Sequence, residues 1–184
     1  MAKQYDEITP KLKAFIEAQQ LFFVGSAPLA QDGHVNISPK GMDSLRILDS
    51  RTVAYLDVSG SGAETIAHVK ENGRLVMMFC AFNGPPLTVR LHGRAEVIEV
   101  ANPEFDKLRQ AFGELPAVRS IIRLTADRIT DSCGWTVPEY EFVGTRPHYQ
   151  KYVDTREPSA IREGQLKSNM QSIDGLPALA EPSC

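Results

Sequence analysis

The first half of the chain alternates between helical and extended patterns of apolar positions. A Thr-Pro pair followed by apolar residues on one helical face predicts a helix over about residues 10–19. Apolar runs bounded by turn residues predict strands at residues 21–27, 34–38, 52–58 and 74–82. An Asp-Gly pair at 32–33 indicates a hairpin turn between the first two strands. Ser61 and Glu64 have the spacing of a capping box, which predicts a helix over residues 63–70 that ends at Gly73.

The second half continues the same pattern and then loses it. We predict a strand over residues 89–97, a helix that opens at Asn102-Pro103, and a last long strand over residues 118–131. From residue 132 onward the periodicity fades and prolines recur. The chain is therefore divided into a barrel domain, residues 1–138, and an irregular C-terminal extension, residues 139–184, packed on the same domain. Consecutive strands joined by turns favour a mainly β fold with short helices (α+β), built as an antiparallel barrel rather than a doubly wound parallel sheet.

Charge and cysteine content narrow the class of protein. The formal net charge is −3, without any block of like charges, so we expect neither nucleic acid nor a membrane surface as partner. No apolar run approaches the roughly 18 residues that span a bilayer, and the N-terminus lacks the apolar core of a signal peptide. Three widely spaced cysteines without a C-x-x-C favour reduced thiols. We therefore expect a cytoplasmic protein.

Two segments contain residues suited to binding a phosphate. Residues 59–65, Ser-Gly-Ser-Gly-Ala-Glu-Thr, place glycines and hydroxyls at a predicted helix start, where free amides favour an anion. Residues 38–41, Ser-Pro-Lys-Gly, place Lys40 in a proline-fixed turn at a strand end. Taken alone, the first segment also fits a capped helix and the second a solvated lysine. Together in one small barrel they offer the cation, amides and hydroxyls that a phosphate monoester needs.

Two further features have functional and structural interpretations of similar weight. Arg90, His92 and Arg94 share one face of a predicted strand, where they repel one another unless an acceptor lies nearby. The alternative is an exposed sheet face neutralised by neighbouring carboxylates. Trp135 stands in a turn bracketed by glycine and proline, which can present its ring to a planar ligand or anchor the tail on the core. The four histidines show no metal-ligand spacing, so we expect no metal site.

Taken together, these segments resemble the FMN-binding split-barrel family related to pyridoxamine 5′-phosphate oxidase. The likeness covers roughly residues 10–138 and is clearest at 35–41, 59–65, 89–95 and 132–138. The last of these, with residues 172–177, looks like the signature of an uncharacterised branch. The resemblance implies a homodimer with FMN at the interface. It also implies a set of cofactor-binding residues, namely Ser38, Pro39, Lys40, Gly41, Ser59, Gly60, Ser61, Gly62, Thr65, Arg90 and Trp135.

The implied activity is hydride transfer between flavin N5 and a small molecule or a reduced nicotinamide, with no residue assigned a catalytic role. The chain departs from the vitamin B6 oxidase itself, because its tail has no tryptophan after Trp135 and the arginine-to-lysine phosphate-binding strand is missing. The alternatives are a carrier or sensor that binds FMN without turnover, a split barrel with a deazaflavin or haem, and a purely structural barrel.

Overall fold

The computed structural model describes residues 3–180, and in this range the chain forms one eight-stranded sheet and five helices. In chain order the elements are β1 (Lys3–Tyr5), α1 (Pro10–Glu17), β2 (Leu21–Ser26), β3 (Asn36–Gly41), β4 (Leu45–Ile47), β5 (Thr52–Val58), α2 (Glu64–Asn72), β6 (Arg74–Cys80), β7 (Thr88–Glu99), α3 (Phe105–Arg109), β8 (Val118–Ser132), α4 (His148–Asp154) and α5 (Pro158–Asn169).

The sheet is antiparallel throughout and runs β3-β2-β6-β7-β8-β5-β4, with β1 added beside β8. Its concave face holds the main core, in which Tyr55, Phe79 and Leu91 are completely buried. Helices α1 and α2 cover this core through residues such as Ile16 and Ile66. The predicted antiparallel, mainly β architecture with short helices is therefore confirmed as a half-barrel.

The first hairpin returns later along the chain than its sequence pattern indicates. The predicted return strand was 34–38, whereas β3 spans Asn36–Gly41 and pairs with β2. The Asp-Gly turn is closed by the Gly33 amide on the Ala30 carbonyl, but it lies inside a longer loop rather than at the hairpin end. This loop is held by Arg74, which donates to the Pro28 carbonyl. Because β3 is an edge strand, it tolerates Pro39, whose missing N–H is not needed by a second neighbour.

The predicted capping box at the start of α2 is wrong. Ala63 is the N-cap, and no side chain caps the helix. The carboxylate of Glu64 instead accepts from the amide of Ile173, at 3.1 and 3.3 Å, which is a contact that no local rule reveals. The predicted C-terminal stop is confirmed, because Gly73 has the left-handed φ of 70° that closes such a helix.

The C-terminal extension is not irregular throughout, contrary to the prediction, because it contains α4 and α5. Helix α5 buries Ile161, Gln165 and Asn169 at four-residue intervals, so one face of the helix packs on the barrel. Two of these three residues are amides, and the hydrophobic periodicity that signals a helix is therefore absent. Further on, Ala178 and Leu179 are buried in the main core. No helix within residues 3–180 is long and apolar enough to cross a membrane.

Candidate functional site

A cavity of about 430 Å³ opens where the end of β3, the end of β5 and the start of α2 meet. This volume lies within the range of sites for small molecules and cofactors. Met42 lies at its wall with a φ of 61°, a left-handed conformation that a residue with a side chain rarely adopts. The lining residues are Asn36, Ser38, Pro39, Lys40, Gly41, Met42, Ser44, Leu56, Val58, Ser59, Gly60, Ser61, Gly62, Glu64, Thr65, Leu115 and Arg119.

Three ionisable side chains form a cluster at this cavity. Lys40 Nζ donates to Asp57 Oδ1 at 3.0 Å, and Arg119 Nε donates to Asp57 Oδ2 at 2.7 Å. The Asp57 side chain is 1% exposed and that of Arg119 is 5% exposed, whereas Lys40 retains 19% exposure. A buried carboxylate is stable only when it is paired and hydrogen-bonded, and here both of its oxygens are engaged.

The cluster holds one more positive than negative charge. Burial raises the pKa of Asp57, but the Lys40 ammonium and the Arg119 guanidinium outweigh burial and hold that pKa below its usual value. Asp57 is therefore ionised at neutral pH and compensates one of the two cations. The remaining positive charge faces the cavity through Lys40 and Arg119, both of which line it. Such a site favours an anion.

The segment 59–62 adds backbone donors to this charge. Within the described residues, the amides of Gly60, Ser61 and Gly62 have no hydrogen-bond acceptor, and they precede the N-terminus of α2. Arg119 Nη2 lies 3.9 Å from the position of a Cβ built on Gly60, so the loop and the guanidinium are close neighbours. The polar groups of Ser59 already have partners. Its amide and its hydroxyl both donate to the Ala117 carbonyl, and its hydroxyl accepts from the side-chain amide of Gln165.

A hydrogen-bonded network forms the opposite wall. Asn36 Nδ2 donates to Thr65 Oγ1 at 3.0 Å and to Ser26 Oγ at 3.3 Å, and Ser38 Oγ donates to Asn36 Oδ1 at 3.1 Å. Ser26 Oγ also lies 3.0 Å from His68 Nδ1. His68 is fully buried, and burial lowers its pKa, so the ring is neutral at pH 7. The network fixes the orientation of the hydroxyl and amide groups that face the cavity.

The structure brings most of the predicted cofactor-binding residues to this one cavity and leaves two outside it. Those that line it are Ser38, Pro39, Lys40, Gly41, Ser59, Gly60, Ser61, Gly62 and Thr65. Arg90 instead donates to Ser132 Oγ at 3.0 Å on the far side of the sheet, and Trp135 is 81% exposed in the segment after β8. Within one protomer these two residues therefore do not close the cavity.

Sequence reasoning missed several residues that shape the site, among them Asn36 in the hydrogen-bonded wall and three that hold its charged groups. Asp57 and Arg119 are far apart in sequence and meet only because β5 pairs with β8. A carboxylate at the end of an apolar strand was the available signal for Asp57, because a lone charge at a strand end requires a partner. Asn169 accepts from Arg119 Nη1 at 2.7 Å, but its position on a helix with a polar buried face gave no such signal.

The fold is an antiparallel half-barrel with a cavity at its edge, and the Lys40–Asp57–Arg119 cluster lies at this cavity. The sequence model of the family described as Pyridoxamine 5′-phosphate oxidase matches residues 8–133. The chain is 35% identical over 192 residues to the Pyridoxamine 5′-phosphate oxidase family protein ustO of Aspergillus flavus, with 95% of this chain and 77% of that protein covered. The chain therefore belongs to the pyridoxamine 5′-phosphate oxidase family of FMN-binding split barrels, as the resemblance indicated.

Solved structures show the same fold at lower sequence identity. The H111A variant of HupZ from Group A Streptococcus superposes with a TM-score of 0.55 at 23% identity, over 68% of this chain and 99% of that chain. A FAD-binding protein from Mesorhizobium loti superposes with a TM-score of 0.50 at 13% identity, over 71% of this chain and 96% of that chain. The family match ends at residue 133, before α4 and α5 begin.

Proposed function

We propose that this protein is an FMN-binding flavoprotein that acts as an oxidoreductase on a small molecule. The single observation that supports FMN most strongly is the surplus positive charge within the Lys40–Asp57–Arg119 cluster, beside the unpartnered amides of residues 60–62. A phosphate monoester carries the charge and the acceptor oxygens that these groups need. Family membership adds independent support for a flavin.

The other groups of the cavity suit the rest of the cofactor. Asn36, Ser38 and Thr65 offer amide and hydroxyl groups in fixed orientations, which fits a polyhydroxylated chain. Pro39 and Gly41 present backbone and a flat apolar surface on the edge strand, where a planar ring can approach. Glu64 also lines the cavity, and its carboxylate, which accepts from the amide of Ile173, keeps its negative charge and opposes an anion on that side.

The flavin would supply hydride transfer at N5, and the chain supplies binding and orientation. Lys40 and Arg119 would hold the phosphate, and the hydrogen-bonded wall would fix the polyhydroxylated chain of the flavin between its phosphate and its ring. We assign no proton-transfer group, because His68, the buried histidine of the wall, lies behind Ser26 and does not line the cavity. The electron partner is proposed to be a reduced nicotinamide or another small molecule.

We also propose that the protein is a homodimer with two FMN sites at its interface. Arg90 and Trp135 do not contact the cavity of their own protomer, so a second copy is the route by which they would reach a flavin. The segment after β8 exposes a series of large apolar side chains, which a partner would cover: Trp135, Tyr140, Phe142 and Val143. Sedimentation velocity of the wild type tests this, and a monomer with full FMN affinity would contradict it.

The cofactor is tested by the visible absorption spectrum of the purified protein, with mass identification of the released chromophore. We expect a flavin spectrum and the mass of FMN, or tight binding of added FMN if the protein is purified colourless. A colourless protein that fails to bind added FMN would overturn the proposal. Release of a deazaflavin or haem would show that the cavity binds that cofactor instead of FMN. Stopped-flow mixing of the flavin-loaded protein with reduced nicotinamides then tests turnover. If no reductant bleaches the flavin, the protein is a carrier or sensor.

A further inference from the structure

Helix α5 and the turn that follows it pack against the loop of residues 59–62, and they lie outside the part of the chain that the family model matches. Asn169 is completely buried and makes two side-chain contacts with the site. Its Oδ1 accepts from Arg119 Nη1 at 2.7 Å, and its Nδ2 donates to the Gly60 carbonyl at 3.2 Å. One amide thus joins the guanidinium and the glycine loop that together face the cavity.

Gln165, one helical turn earlier, makes the matching contacts on the preceding residue of the loop. Its Nε2 donates to Ser59 Oγ at 2.6 Å and to the Ala117 carbonyl at 3.1 Å, and the residue is 6% exposed. Beyond the helix, the Ile173 amide contacts Glu64 on the other side of the loop. The loop is therefore held from both sides by a segment that lies more than a hundred residues further along the chain.

We propose that Asn169 and Gln165 are positioning residues for the phosphate site, so that docking of the C-terminal segment and binding of the phosphate stabilise each other. Neither residue lines the cavity, so each acts through the groups that it holds. Arg119 would otherwise be free to rotate about Asp57, which engages only its Nε. Holding Nη1 with Asn169 fixes the plane of the guanidinium and leaves Nη2 beside Gly60.

The coupling follows from the burial of these contacts. A phosphate that enters the site meets a loop and an arginine that are already ordered. Because preorganised groups lose less freedom on binding, the phosphate binds more tightly. By linkage, the bound phosphate must stabilise the docked segment by the same free energy. This inference rests on the proposed function, since the phosphate considered is that of FMN.

The test compares FMN with riboflavin, which lacks the phosphate, by titration with full-length protein. The ratio of the riboflavin Kd to the FMN Kd isolates the phosphate contribution. Asn169→Ala is expected to lower this ratio about tenfold while the riboflavin Kd stays nearly constant. Asn169→Asp retains the acceptor for Arg119 but neutralises the surplus positive charge, so it is expected to lower the ratio at least as far. Gln165→Ala is expected to lower the ratio less.

Lys167→Ala is the matched control, because Lys167 lies on the exposed face of the same helix. Equal ratios in Asn169→Ala, Gln165→Ala, Lys167→Ala and the wild type, with the wild type preferring FMN, would overturn the inference and leave the proposed function intact. If the wild type binds inorganic phosphate but not FMN, and Asn169→Ala weakens that binding while Lys167→Ala does not, the inference holds and the cofactor is wrong. A wild type that binds neither FMN nor inorganic phosphate overturns both.

Discussion

Replacing Asp57 by Asn removes the one negative charge that holds Lys40 and Arg119 together. The substitution preserves shape and one acceptor oxygen, so its main effect is electrostatic. Breaking a buried ion pair by removing one partner costs about 3–5 kcal/mol, and the retained oxygen places the expected loss near the lower end, about 3 kcal/mol. For a domain of this size each kcal/mol shifts Tm by about 2–4 °C, so we expect a fall of about 6–12 °C without ligand.

The same substitution should strengthen phosphate binding. Two cations would then face the cavity without compensation, and the added attraction is about 1–2 kcal/mol at the dielectric of a partly buried site. We therefore expect FMN to bind about five- to thirtyfold more tightly to Asp57→Asn than to the wild type. The measurements are chemical denaturation without ligand and flavin titration, since a ligand that binds only the folded state raises stability by RT ln(1 + [L]/Kd) and would mask the loss.

Asp43→Asn is the matched control, because Asp43 pairs with Arg46 but its side chain is 71% exposed. An exposed pair contributes about 1 kcal/mol or less, so this variant should retain nearly all of the stability and FMN affinity. An Asp57→Asn protein as stable as the wild type would show that the buried pair is absent in solution. Weaker FMN binding by Asp57→Asn would show that the carboxylate itself contacts the cofactor, which the described geometry does not support.

Three further outcomes follow from the structure. Lys40→Ala removes the surplus charge and should weaken FMN binding by about 1–3 kcal/mol in titration, and unchanged affinity would place the phosphate elsewhere. Gly93→Ala should unfold or severely destabilise the protein, because its Cβ would lie 2.0 Å from the backbone oxygen of Thr125. Gly164→Ala, by contrast, has open space around its Cβ and should stabilise α5 by about 0.5–1 kcal/mol in chemical denaturation. In an NMR titration His34 should show a pKa above 6.5, because its hydrogen bond with Asp174 and the attraction to that carboxylate raise the pKa. The contact therefore stabilises the folded protein fully below pH 6.5, and this stabilisation is lost as the pH rises through the raised pKa. Asp174→Asn should remove the pKa shift.

The sequence predicted the barrel well because its strands carry their own signal. The alternating and apolar runs of β2, β5, β6, β7 and β8 reflect burial against the sheet, and period-two patterns report burial directly. The three-residue strands β1 and β4 were missed, since three residues are too few to show a period. Their place in the sheet depends on pairing with distant strands, which no local pattern encodes.

The site was predicted in composition but not in its electrostatics. The lysine turn and the glycine loop were found because local rules associate each with an anion. Lys40 was expected to offer a free charge, yet the structure shows it paired with Asp57, and the surplus charge of the site depends on Arg119. This partner comes from β8 and its orientation from α5, so the charge balance is a property of the tertiary fold.

A crystal structure of the protein with FMN tests the central claim most directly. We expect the phosphate of FMN at Lys40, Arg119 and the amides of Gly60, Ser61 and Gly62, with Asp57 still between the two cations. Density for the phosphate at another surface of the barrel, or an occupied flavin ring with the Lys40–Asp57–Arg119 cluster facing only solvent, would contradict the account.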